Sequence, residues 1–178
     1  MTGAIELEKA RKEMAIRKAF RNWRSRFEED FGPETRLPDV SMKSLLVLAE
    51  GKSDDTFYLL DLVMSIRSLG SGFEFHELEP RHKMEVVDGY LFLLDRIRFE
   101  WMRRLGWLEG YPGEKCTVAE LALCTEGLVE SLKTQALTLS SEHPGYAQFQ
   151  ALSGSQKEEF IRKLIPEALK KIGGPKCH

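Results

Sequence analysis

The stretch from Arg81 to Leu105 constrains this chain more than any other, because its apolar residues recur at helical spacing over about seven turns. Met84, Val87, Leu91, Leu94, Trp101 and Leu105 share one face, and Val86, Tyr90, Leu93 and Ile97 form a second stripe beside it. Two adjoining stripes make a face wider than a surface helix needs, so neighbours are expected to cover it from more than one side. Glu79 and Pro80 suit the first turn, where the missing proline N–H has no intrahelical partner. Arg103 and Arg104 complement the dipole at the other end, and Gly106, Gly110, Pro112 and Gly113 stop the helix.

Around this rod the sequence predicts an all-α fold, an irregular bundle of six or seven helices about a long central helix at 81–105. The 178 residues, 42% hydrophobic and 30% charged, suit one domain with one core. Residues 1–15 are set apart as an arm or dimer-contact segment, and 173–178 as a frayed tail. An odd cysteine count (Cys116, Cys124, Cys177) at irregular spacing argues against a disulfide framework and for a reducing compartment. The longest apolar run, Phe57 to Ile66, is interrupted by Asp61 and is too short to span a bilayer, so the expected location is cytoplasmic.

Other segments read as follows. A first helix over 4–31 carries Leu7, Ala10 and Met14 on one side and Ile16, Phe20, Trp23 and Phe27 on another, rotated by about 150°. Either it breaks near Ala15 or its two halves pack on different surfaces. The second arrangement is expected, with the later half in the core and the first half meeting another subunit or remaining an arm. Helices follow from Ser41 to Ala49 and from Ser53 to about Leu69, the latter apolar almost all the way round. Phe73 to Phe75 reads as an extended connector with no partner strand. The Thr117 and Glu120 pair predicts a capping box opening a helix that continues towards Leu139. Tyr146 to Leu152 suggests a short amphipathic turn of helix. Ser155 with Glu158 suggests a second capping box, opening a final helix that Pro166 should kink.

The formal net charge of −2 conceals an asymmetry. Between Glu8 and Arg26, eight basic residues (Lys9, Arg11, Lys12, Arg17, Lys18, Arg21, Arg24 and Arg26) outweigh Glu8 and Glu13 by six charges, which leaves −8 on the remainder. These eight are the candidate contacts to a partner. With Trp23 and Phe20 they could neutralise phosphates and stack bases, or lie on an anionic membrane surface. The preferred reading makes the aromatics core and the cations a solvated face that meets the protein's own acidic body or another protein.

Other constellations fall short of a site. His76, Glu79, His82 and Glu85 contain one Glu-x-x-His unit, whereas a di-iron bundle needs two units and two further glutamates. Cys116, Cys124, Cys177 and His178 lack the short paired turns of zinc sites, and Cys124 has only His143 nearby in sequence as an activating base. Asp61, Asp88 and Asp95 sit among apolar residues, where pairing with Arg67, Arg96 or Arg98 is expected. Ser41 to Leu69 has helix, glycine and helix, but its second helix presents residues that bury themselves. In 117–137, Glu120, Leu121 and Ala122 before Gly127 are similar to the opening of bacterial helix-turn-helix regulators. That resemblance implies a reader helix offering Ser131, Lys133, Thr134 and Gln135.

The expected function is therefore a non-catalytic helical interaction module, self-associating as a homodimer and meeting a further, unidentified protein partner. The alternative is a nucleic-acid-binding regulator using the basic first helix or a degenerate helix-turn-helix at 117–137. No convergent nucleophile, base and oxyanion donor can be named, so no catalytic residue, metal ligand or cofactor is assigned.

Overall fold

Proline and glycine punctuation, with local caps, divides the chain into helices that pack around one rod. A computed structural model describes residues 2–171; the predicted tail at 173–178 lies outside the described residues. The rod is α5, given by its order among the helices α1 (Thr2–Ala19), α2 (Arg21–Phe27), α3 (Met42–Glu50), α4 (Ser53–Ile66) and α5 (Pro80–Arg104). After it come β1 (Leu108–Gly110), α6 (Val118–Leu123), α7 (Glu126–Leu132), β2 (Thr138–Leu139), α8 (Tyr146–Gln150) and α9 (Gly154–Lys170). The protein is all-α, with two 3₁₀ turns at Leu37–Asp39 and Gly72–Glu77.

Helix α5 begins as its sequence dictates, with Glu79 as the extended N-cap residue and Pro80 at the first helical position. It packs on α3, α4, α6 and α9, burying Val86, Leu93, Leu94, Ile97, Phe99, Trp101 and Met102. Trp101 also donates its indole N–H to the Ala168 carbonyl at 3.0 Å, fastening α9 to the rod. The second predicted stripe is covered, and the first is covered only in its later part, at Leu94 and Trp101. Met84, Val87 and Leu91 of the first stripe remain exposed, because the neighbours gather on the later turns and on the opposite side.

Two buried polar knots fix the frame. Asp61 in α4 accepts from the Asn22 amide at 2.8 Å and from the Gly72 N–H at 2.9 Å, joining α2, α4 and the second 3₁₀ turn. Glu100, fully buried in α5, accepts two bonds from Arg103, one from Arg104 and one from the Tyr111 hydroxyl. Arg104 carries the connection onward to the carbonyls of Leu37 and Val40.

Several expected boundaries shift for local reasons. The first helix passes through Ala15 without interruption and breaks at Phe20; Glu28 then ends α2 in the left-handed region, at φ 56°. Helix α4 stops at Ile66, before Leu69, and residues 72–77 form a 3₁₀ turn in place of an extended connector, since Ser71 and Glu74 make a capping box. The helix expected from Thr117 to Leu139 is divided. Its capping box is present, but Cys124 adopts φ 47° and Thr125 caps a new helix by accepting from Leu128 N–H. The chain beyond Leu132 then pairs Thr138–Leu139 with β1 in a small antiparallel ladder that the sequence reading did not contain. Helix α9 opens on a capping box of Ser153 with Gln156, two residues earlier than expected, and Pro166 lies in its last turns.

Candidate functional site

Two features of the surface are not accounted for by the fold: the first half of α1 and a cleft beneath α5. In α1, the final turns carry Ala19 into the core, and Phe20 and Trp23 follow it as fully buried rings against Phe31. From Thr2 to Lys12 every residue is exposed. Ile5, Leu7 and Met14 stand 69%, 54% and 70% exposed, so three large apolar side chains project from this helix without cover.

The eight basic residues do not act together. Arg26 pairs with Asp55 at 3.3 Å and lies beside the rings of Phe27 and Tyr58. Arg24 donates to the carbonyls of Arg17 and Phe31, closing the turn between α1 and the following loop. Lys9, Arg11, Lys12, Arg17, Lys18 and Arg21 form no ion pair among the described residues. The aromatics considered as stacking partners for bases, Phe20 and Trp23, are withdrawn into the core, and the Trp23 indole is committed to the Tyr58 carbonyl at 2.8 Å. Within 117–137, the short α7 carries Glu126 and Glu130 beside the expected reader residues, and Lys133 is tied to Glu130 at 2.6 Å. A duplex phosphate backbone would meet acidic groups there.

The cleft has a volume of about 770 Å³, within the range of small-molecule sites. One wall is α5, through Phe92, Asp95, Arg96 and Phe99; the others come from α7, the β2 segment, α8 and the first half of α9. Asp95 is ion-paired, as expected of it, although its partner is Arg162 of α9 at 2.8 Å and not a neighbouring arginine. Burial raises the Asp95 carboxyl above its ordinary range in spite of Arg162, Arg96 and Arg98. Arg162 is shared with Glu158 at 2.7 Å. Arg98 turns instead to the Ala49 carbonyl, while the buried Nε atoms of Arg67 and Arg96 have no acceptor among the described residues. Asp88 is exposed.

The remaining candidates are dispersed. Glu85 pairs with Arg81, and His76 lies against Phe75 in the 3₁₀ turn before α5. Among the described residues no group of three or more His, Cys, Asp and Glu side chains could hold a metal ion; Cys177 and His178 lie outside them. Burial pushes the Cys116 and Cys124 thiols up, away from the reactive thiolate. His143, the base considered for Cys124, packs on Trp107, and its Nδ1 accepts from Gly145 N–H.

The sequence reading missed the cleft. Its one available signal was Arg96 between Phe92 and Phe99 on a helix otherwise built for burial. Among the described residues, no helix is long and apolar enough to cross a membrane. No protein-family model, curated protein or solved structure matches this chain.

Proposed function

We propose that this protein is a non-catalytic helical interaction module that self-associates through α1. The observation that supports the reading is the uncovered first half of that helix, with Leu7 and Met14 exposed on one face. Apolar residues that large on an unpartnered helix favour burial against another surface, each worth about 1.5–3 kcal/mol when fully covered.

The occupant is a second copy of the chain, aligned in parallel. Gly3, Leu7, Ala10 and Met14 follow one another at steps of four, three and four, the seam of a heptad with Leu7 and Met14 at its a positions. In that register Glu6 and Glu13 fall at g, and Arg11 and Lys18 fall at e five residues later. A parallel pair therefore sets Glu6 against Arg11 and Glu13 against Lys18 across the seam. None of these four residues has an ion-pair partner within its own chain among the described residues. An isologous two-fold contact of this kind closes on itself and limits assembly to a dimer.

Light scattering at micromolar concentration should give twice the chain mass. A Glu6→Lys/Glu13→Lys double variant and an Arg11→Glu/Lys18→Glu double variant should each weaken the dimer by about tenfold or more, since attractive pairs become repulsive. Mixing the two should restore association. A monomeric wild type, or weakening that mixing leaves unrepaired, would sink the proposal. The cations of α1 that have no ion pair among the described residues support one other reading, nucleic-acid binding. It would replace the first if random-sequence DNA or RNA bound with a steep salt dependence that vanished on removing residues 2–15.

A further inference from the structure

The cleft beneath α5 holds a cation that the fold does not use. Arg96 is 9% exposed, lines the cavity and forms no ion pair among the described residues, and its Nε is buried without an acceptor. Its guanidinium lies over Phe92 at 4.2 Å and beside Phe99 at 5.5 Å. Those rings solvate part of the charge, but a buried arginine without a carboxylate is costly to the fold unless something else compensates it. Burial does lower its pKa, with Asp95 and Glu158 restoring only part of the loss.

The rest of the cavity is biased the same way. Asp95 and Glu158 are both spent on Arg162. Lys157 at the rim has no ion pair among the described residues and sits over the Phe149 ring at 5.1 Å. Gly154 and Ser155, the first residues of the 17-residue helix α9, also line the cleft, so the positive end of its dipole lies at the cleft wall. Between these charges the walls are aromatic, with Phe92, Phe99, Tyr146 and Phe149.

We propose that the cleft binds a small amphipathic organic anion, whose single carboxylate or phosphate head meets Arg96 and whose apolar body lies among the aromatic walls. The site is separate from α1 and stands or falls independently of self-association. Arginine suits either head group, because its planar fork donates two parallel hydrogen bonds to a carboxylate or a phosphate.

A fluorescence titration with 1-anilinonaphthalene-8-sulfonate, an aromatic anion, tests the assignment against N-phenyl-1-naphthylamine, its uncharged relative. The wild-type chain should bind the anion at one site at least tenfold more tightly than the neutral probe. Arg96→Met should lose about tenfold of the anion affinity, the scale of a hydrogen bond to a charged group, and leave the neutral probe unchanged. Lys157→Gln, a rim change that gives up only the cation–π contact with Phe149, should lose a smaller part, so the inference remains testable if the Arg96 variant does not fold. Decanoate and decyl phosphate, used as competitors, separate the two head groups: whichever displaces the probe more effectively names the head. Equal binding of charged and neutral probes, anion affinity untouched in both variants, or displacement by neither competitor would each overturn the proposal.

Discussion

Replacing Trp23 with alanine should cost the fold about 3–5 kcal/mol, the usual range for removing a buried aromatic ring. Trp23 is fully buried and meets Phe20, Phe27 and Phe31 edge to face, with centroids 5.4, 6.0 and 5.4 Å away. Such pairs add about 0.5–1.5 kcal/mol each beyond the area they cover. The substitution also removes the indole N–H bond that the Tyr58 carbonyl, within α4, accepts at 2.8 Å. Because this cluster joins α2 to α4 and carries the root of α1, the loss should appear as a lower urea midpoint with an unchanged slope. A loss under 1 kcal/mol would mean that the cluster is not the anchor of the first two helices.

Glu100→Ala should be comparably severe, about 3 kcal/mol, at the lower end of the range for breaking a buried ion pair. The carboxylate has no exposed surface, and its removal leaves Arg103, Arg104 and Tyr111 without their shared acceptor. The lower end applies because Arg104 keeps its bonds to the carbonyls of Leu37 and Val40, and Arg103 retains contact with solvent and with Glu114 at 3.5 Å. The pH dependence has a definite sign. Burial alone would raise the Glu100 pKa, but hydrogen bonds from Arg103, Arg104 and Tyr111 overrule it and hold the carboxyl below its ordinary range. A depressed carboxyl pKa stabilises the fold above the unfolded value of about 4.3, and that contribution is lost as pH falls through the folded value. The stability gap between the wild type and Glu100→Gln should therefore be widest at neutral pH and shrink below about pH 4.3. A gap that stays constant on acidification would place the stabilisation in shape, not charge.

What could be read from the sequence was what depends on neighbours within one turn. Pro80 at the first position of α5 and the Thr117 and Glu120 box involve groups adjacent or three residues apart, so their spacing carries the information. Periodicity also identified the faces of α5, but it cannot say which face a neighbour covers. Met84, Val87 and Leu91 have the same spacing as buried residues and are exposed because, among the described residues, no helix covers them. The pairing of Leu108 with Leu139 joins strands of three and two residues, too short for an alternating pattern to register. The cleft lay further out of reach. Arg96 was expected to pair with one of the nearby acids, but Arg162 from α9 takes Asp95, and that competition is settled only by the packing of α9 on α5.

The claim that a second copy covers the first half of α1 is tested most directly by amide hydrogen exchange of residues 5–14 at two well-separated protein concentrations. An isolated helix of this length is marginal in water and exchanges quickly unless something packs on it. The account predicts slow exchange at the higher concentration and fast exchange at the lower, as mass action separates the pair. Fast exchange in this segment at both concentrations, with the core of α5 still protected, would contradict it.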